Sequence, residues 1–368
     1  MKLTSNNIFS SKIYSPRIWD PERNFVIQWH ITPKCSGSCK FCYMFDSPGY
    51  KKEVEEELNK EQCLSIVDKI SNYLEDKNLK GNFLLTGGDP ILKDGFWDIL
   101  EMLQIKKMKT IILGNAKLLN EENVSKMSLL GVDHYQMSID GNEEIHNYFR
   151  GEGSYAETIS KVGLLRKYNI TSSFSYTISS LNCGEAPALI LRAPMDKIFA
   201  IRYSRLVPIG RGEKYSKDLV SPEQYREALI KMYSNLSKIF LENNYPISFL
   251  SCDPLRTIPL LEMPQFMPNY FRSIVFTKKG CRKNLMTILP HGEVYVCRRL
   301  NIPIGNILEE SMEELRSHSL VRKLEDPLSF KECLDCKYFK YCGGGCPSVT
   351  YAVKGDPFRK DPQCWVKS

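Results

Sequence analysis

The sequence contains no long apolar run. Nothing in its 368 residues approaches the roughly 18–20 consecutive apolar residues of a membrane span. The opening stretch, Met1 to Pro16, is polar and has no apolar core, so no secretory signal is read there. Charge of one sign is also scarce. The formal net charge of +7 is modest, and pairs such as Lys106-Lys107 and Lys278-Lys279 are too short to form a nucleic-acid stripe. No nucleic acid and no membrane are therefore expected as partners, and a cytoplasmic location is. Thiols stay reduced there, so the 13 cysteines predict metal or redox chemistry rather than disulfides.

The apolar fraction of 42% is ordinary for a globular chain of one large or two smaller domains. From Phe25 to about Glu242, short apolar strands alternate with amphipathic helical stretches. Phe25 to Ile31, Phe83 to Leu85, Thr110 to Leu113, Tyr135 to Ile139, Ile170 to Ile178 and Ile198 to Leu206 read as strands. Asn59 to Gln62 reads as a capped helix start, with Cys63, Ile66, Val67 and Ile70 on one face behind it. Ser221-Pro222 opens another helix, with the proline where no amide bond is needed. The pattern predicts an α/β fold with a parallel sheet, open or curled into a barrel. Residues 243–280, rich in proline and aromatics, read as a bridge. From Cys281 onward cysteine and glycine dominate, with little apolar material for an independent core, so metal is expected to organise this part.

Two cysteine groups carry the chemistry. Cys35, Cys39 and Cys42 have the spacing C-x3-C-x2-C directly after the first strand. Three thiolates on one loop suit a cubic iron–sulfur cluster, one iron corner each, with the fourth iron left for a ligand. A structural zinc site would want four donors. The second group comprises Cys281, Cys297, Cys333, Cys336, Cys342, Cys346 and Cys364. A pair of zinc ribbons is the alternative there. Thr86-Gly87-Gly88-Asp89-Pro90 ends a strand, and paired glycines let the backbone approach a ligand closely.

The Cys35 to Tyr43 loop, with Phe41 before the last cysteine, resembles the cluster loop of radical S-adenosylmethionine (radical SAM) enzymes. The late cysteines, with Gly292 between Cys281 and Cys297, resemble the SPASM domain that carries auxiliary clusters, as in peptide maturases and anaerobic sulfatase-maturing enzymes. The resemblance implies a partial (β/α)6 TIM-like barrel over 25–242 and a SPASM domain over 281–368. An N-terminal extension (1–24) precedes them, and the bridge (243–280) joins them. It implies one SAM-binding 4Fe-4S cluster on Cys35, Cys39 and Cys42. It implies two auxiliary clusters: a near one on Cys281, Cys297 and Cys346, and a distal one on Cys333, Cys336, Cys342 and Cys364. Seven cysteines for two clusters leave the near one an open iron, unless Cys252 supplies an eighth ligand.

For S-adenosylmethionine, the resemblance implies contacts from Gly87, Gly88 and Asp89, the last replacing the family's glutamate. Asn115 is expected near the ribose, and Ser138 and Arg150 at the hydrogen-bonding and carboxylate positions. The loop from Leu206 to Gly212 is expected at the adenine. A guanidinium suits a carboxylate through two parallel hydrogen bonds. His146 reads as structural, Cys63 as core and Cys183 as a loop residue. Arg298 and Arg299 follow the second auxiliary cysteine, where sulfatase-maturing enzymes carry an aspartate base. They are expected to meet an acidic substrate group or, preferably, the cluster's own negative charge. No catalytic acid or base is assigned.

The function implied is reductive cleavage of S-adenosylmethionine to a 5′-deoxyadenosyl radical that takes a hydrogen atom from a substrate. A ribosomally made peptide is preferred. A small molecule or tetrapyrrole is the alternative, and a non-catalytic electron carrier is the alternative of another class. A reductant such as flavodoxin or ferredoxin is an expected partner. Only 34 residues precede Cys35, too few for the leader-binding module many peptide maturases carry. The leader is expected to bind elsewhere, to a separate protein, or to be absent.

Overall fold

The computed structural model describes residues 24–243, 248–251, 253–263 and 284–367. One ten-stranded sheet organises them, in the order β10-β9-β8-β1-β2-β3-β4-β5-β6-β7. The barrel strands are β1 (Asn24–Thr32), β2 (Lys80–Gly87), β3 (Lys109–Leu113), β4 (Val132–Ser138), β5 (Thr171–Ile178), β6 (Ala200–Arg205) and β7 (Ser248–Ser251). Every neighbouring pair from β1 to β7 is parallel. Helices join them, as parallel pairing requires a crossover. They include α1 (Tyr50–Glu55), α2 (Lys60–Asp76), α3 (Phe96–Ile105), α4 (Glu121–Leu129), α5 (Glu143–Arg150), α6 (Ser154–Lys167), α7 (Ala186–Asp196) and α8 (Pro222–Asn243). The result is a TIM-like α/β fold whose sheet, among the described residues, stays unclosed: a partial barrel.

Local chemistry explains where the helices start. Asn59 and Gln62 form the reciprocal capping box of α2, and Cys63, Ile66, Val67 and Ile70 are buried behind it. Ser221 and Gln224 exchange the same pair of bonds at the head of α8, at 3.1 and 2.9 Å. Both starts match their sequence signals. Alternate residues of the strands, such as Trp29, Leu85, Ile112, Tyr135, Phe174 and Tyr203, join the helices in one core.

Two features depart from the sequence reading. The region read as a bridge contributes β7, paired with β6, and the helix α9 (Thr257–Glu262). The cysteine-rich end is not organised by metal alone. Its strand β8 (Leu285–Ile288) pairs in parallel with β1, and β9 (Glu293–Tyr295) and β10 (Pro303–Asn306) extend the sheet antiparallel. Met286, Ile288, Val294 and Ile304 join the barrel's own core. Among the described residues, no helix is long and apolar enough to cross a membrane.

Candidate active site and cluster loops

The loop carrying Cys35, Cys39 and Cys42 leaves the C-terminal end of β1, where parallel α/β folds place their ligands. The glycine pair after β2 seats that loop. The Gly88 amide donates to the Thr32 carbonyl at 2.9 Å, and the Asp89 amide to the Lys34 carbonyl at 2.7 Å. A Cβ on Gly88 would lie 2.1 Å from that Lys34 oxygen, and one on Gly87 2.2 Å from the Thr32 oxygen. The close approach expected at a ligand is thus made first to the loop itself.

Polar groups converge on the thiols. Asn115 Nδ2 donates to Cys35 Sγ at 3.3 Å and the Gly37 amide does so at 3.4 Å. Arg150 Nη1 reaches Cys39 Sγ at 3.5 Å. Ser36 donates to the buried Asp89 carboxylate at 3.3 Å. Burial pushes Asp89 up to about 6, against the donors from Ser36, Ile91 and Asn115. Burial also pushes the Cys35 and Cys42 thiols up, and neighbouring thiols add to the effect. Bare thiolates are therefore costly here, and a cationic metal centre offsets that cost. A Cβ on Gly37 would lie 3.9 Å from both the Cys35 and Cys39 sulfurs, so these two thiols turn to one side. The donor set fits an iron–sulfur cluster.

Arg150 is anchored by an ion pair to the fully buried Asp140, which also accepts from the Thr177 amide at 2.9 Å. His146 Nδ1 accepts from the Asp140 amide at 3.2 Å, and burial lowers its pKa to about 4, as suits a structural histidine. Ser138 ends β4, half-buried, in register with Ser175. Leu206 is buried against Phe41 and Phe149. The loop after it was expected at the adenine. In the fold it docks on the cluster loop, the Arg211 amide donating to the Cys42 and Phe45 carbonyls at 3.0 and 2.9 Å.

The later cysteines form two groups. Cys333, Cys336, Cys342 and Cys364 line one cavity. Cys297 and Cys346 line another, with Arg205, Asp253 and Arg299; Cys342 borders both cavities, and Ser348 donates to Cys297 Sγ at 3.5 Å. Burial pushes Cys333 up to about 11 and Cys342 to about 12, so these thiols too favour a metal partner. Cys281 and Cys252 lie outside the described residues. Among the described residues no set of three or more His, Cys, Asp or Glu side chains is arranged around a single ion. A cubic cluster instead takes one thiolate per iron corner.

Arg298 corrects both expectations for it. It is 1% exposed and turns away to an ion pair with the buried Glu53 of α1, with Ser47 Oγ at 3.0 Å. Burial pushes Glu53 up to about 7, with Arg298 pulling it down. Sequence reasoning missed this pair, because residues so far apart share no local signal.

The model of the radical SAM superfamily matches residues 29–182, and that of the SPASM iron–sulfur cluster-binding domain matches residues 281–337. This chain is a radical SAM enzyme with a SPASM domain. It uses S-adenosylmethionine, a 4Fe-4S cluster in its radical SAM domain and auxiliary iron–sulfur clusters in its SPASM domain. The AdoMet-dependent heme synthase of Methanosarcina barkeri is 28% identical over 352 residues, 92% of this chain and 95% of that one. The sporulation killing factor maturation protein SkfB of Bacillus subtilis is 24% identical over 314 residues, 83% of this chain and 67% of that one. Among solved structures, native anSMEcpe with bound AdoMet shares the fold at a TM-score of 0.70 and 20% identity, covering 93% of this chain and 94% of that one. The matched radical SAM domain contains Cys35, Cys39, Cys42, Gly87 to Asp89, Asn115, Ser138 and Arg150. Leu206 lies beyond it, and Cys342, Cys346 and Cys364 lie beyond the matched SPASM stretch.

Proposed function

We propose that Cys35, Cys39 and Cys42 hold the SAM-binding cluster, and that this radical SAM enzyme modifies a ribosomally made peptide. One observation carries the site assignment: Gly88 and Asp89 after β2, Asn115 after β3 and Arg150 at the end of α5, from three separate segments, all meet the loop that carries those thiols. The cluster and S-adenosylmethionine, when bound, supply one-electron chemistry that abstracts a hydrogen atom from the substrate. Asn115 and the Gly37 amide donate to the Cys35 sulfur and favour its ionised form. Arg150, fixed by Asp140, holds its charge beside Cys39, where it also suits the carboxylate of S-adenosylmethionine. Gly87 and Gly88 let the turn after β2 lie directly against the Thr32 and Lys34 carbonyls and so hold the cluster loop in place.

Cys333, Cys336, Cys342 and Cys364 are assigned to the distal auxiliary cluster, and Cys297 and Cys346, with Cys281, to the near one. The proposed units are residues 25–242, 243–280 and 281–368, after an extension of 1–24. The maturation protein SkfB and the mycofactocin maturases MftC of Mycobacterium tuberculosis, as maturases, support the peptide reading. On that reading a leader-binding protein is a partner, and a flavodoxin or ferredoxin is the reductant. A second reading, chemistry on a tetrapyrrole, is supported by heme synthases that align over nearly their whole length.

The test is anaerobic. After iron and sulfide loading, S-adenosylmethionine and a reductant are added, and 5′-deoxyadenosine is compared with a Cys35/Cys39/Cys42 triple alanine variant. Product that disappears in the variant supports the site. Deuterium carried into it from a candidate peptide, rather than from a tetrapyrrole, supports the peptide reading. No product from a fully iron-loaded wild type with either substrate refutes both.

A further inference from the structure

The turn after β3 aims a side chain at a sulfur. Asn115 Nδ2 lies 3.3 Å from Cys35 Sγ and 3.4 Å from Ser36 Oγ. An amide nitrogen carries two protons, so it can serve both acceptors at once. Ser36 passes its own proton to the Asp89 carboxylate, which leaves its oxygen able to accept from Asn115. Both Asn115 and Cys35 are half-buried, where water competes less for such a bond.

The fold fixes that amide from behind. Tyr135 of β4, fully buried, donates its hydroxyl to the Asn115 carbonyl at 2.8 Å. The Gly114 amide donates to the Gln136 carbonyl at 3.1 Å. A Cβ on Gly114 would lie 2.4 Å from the Tyr135 oxygen, so the absence of a side chain there lets the hydroxyl reach Asn115. The three thiols also differ in their donors. Cys35 receives Asn115 and the Gly37 amide, Cys39 receives Arg150, and Cys42 receives the backbone amides of Met44 and Phe45. Among these donors Asn115 is a side chain and neutral. Substitution can therefore remove its bond without changing the charge of the site.

We propose that Asn115 is a positioning residue for electron entry: by donating to Cys35 Sγ it raises the reduction potential of the cluster held by Cys35, Cys39 and Cys42. The inference rests on the cluster assignment proposed above. One-electron reduction adds negative charge, part of which falls on the thiolate sulfurs, and a donor on a sulfur favours the more negative state. Without the Asn115 bond the reduced state loses that support. The potential then falls, and a reductant of given strength fills the site less. Tyr135 serves the same end one step back, because it holds the Asn115 backbone where the amide meets the sulfur.

The test reads a potential, with neither S-adenosylmethionine nor substrate present. The full chain, loaded with iron and sulfide, is poised at a series of potentials with dithionite and mediator dyes. Electron paramagnetic resonance then measures the reduced iron–sulfur signal. The part of that signal missing from the Cys35/Cys39/Cys42 triple alanine variant belongs to this cluster. In Asn115→Leu, which fills a similar volume without a donor, the ratio of reduced to oxidised cluster at a fixed potential is expected to fall about ten-fold, a midpoint about 59 mV lower. Asn115→Gln, which keeps the amide, is expected to recover part of that loss. A fall of less than about three-fold in Asn115→Leu, or a rise, overturns the proposal. Weaker S-adenosylmethionine binding at an unchanged potential also overturns it, and assigns Asn115 to the cofactor. Should Asn115→Leu not hold its iron, the comparison is made with Asn115→Ser, whose hydroxyl falls short of the sulfur. There a fall of about three-fold or more is expected, and equality overturns the proposal. If the triple alanine variant keeps the whole signal, the cluster assignment fails and this proposal fails with it. An unchanged potential for a signal that the triple variant lacks refutes this proposal alone.

Discussion

Arg205, at the end of β6, grips both carboxylate oxygens of Asp361, at 2.7 and 2.8 Å. The same guanidinium pairs with Asp253 and meets Gln363 Oε1 at 2.6 Å. Asp361 in turn accepts from the Cys346 amide at 2.8 Å. One buried cation thus ties the barrel to the segment that carries Cys364 and, through Asp361, to the backbone of Cys346. Arg205→Gln would leave two carboxylates buried without their counter-charge. That imbalance should cost about 3–5 kcal/mol. The urea midpoint of the variant is expected to fall sharply, and an unchanged midpoint would contradict the tie.

Gly88→Ala tests the seating of the cluster loop. The added methyl would meet the Lys34 oxygen at 2.1 Å and the Cys35 Cβ at 2.8 Å, both in the loop. Iron retained after reconstitution should drop, and S-adenosylmethionine should bind more weakly, while far-ultraviolet circular dichroism stays close to wild type. Full iron loading would show that the loop yields more easily than its contacts imply.

His134 gives a pH signature. Its ring nitrogens bond Thr171 and Ser173, each at 2.7 Å, and burial drives its pKa down to about 3. The unfolded chain, near the ordinary 6.5, takes up a proton first as pH falls. The stability contributed by neutral His134 is therefore whole above pH 6.5 and is lost as pH falls toward 3. His134→Gln removes this dependence. Between pH 7 and pH 5 the stability gap between wild type and variant should narrow by about 2 kcal/mol. Urea unfolding at the two pH values measures it, and parallel curves would refute it.

Cys336→Ala addresses the cavity lined with Cys333, Cys342 and Cys364. Iron should fall by roughly four atoms per chain. Deoxyadenosine formation should persist, since Cys35, Cys39 and Cys42 are untouched. Unchanged iron would remove this cavity from the auxiliary-cluster assignment.

Much of this molecule was legible where the signal is local. The cysteine spacing, the Asn59–Gln62 box and the Ser221-Pro222 start each lie within a few residues, and each marks its element. The strands of the barrel were readable because one face packs against helices in a fixed alternation. What escaped were contacts between distant segments. Nothing near Arg298 points to Glu53, and nothing near Arg205 points to Asp361. β7 escaped because four residues inside a proline-rich stretch carry too little periodicity. The glycine pair was read for its freedom to approach a ligand, and its contact with the Thr32 and Lys34 carbonyls needed the folded loop.

The pairing of β1 with β8 has a consequence for biogenesis. On the ribosome, the strand that precedes the cluster loop emerges early, and its neighbour emerges only when most of the chain has been made. Until then β1 has one unpaired edge, and the three thiols that follow it lack the settled platform they stand on. A chain ending before β8 would therefore present the cluster loop on an incomplete platform, and it should hold iron less well than the full chain.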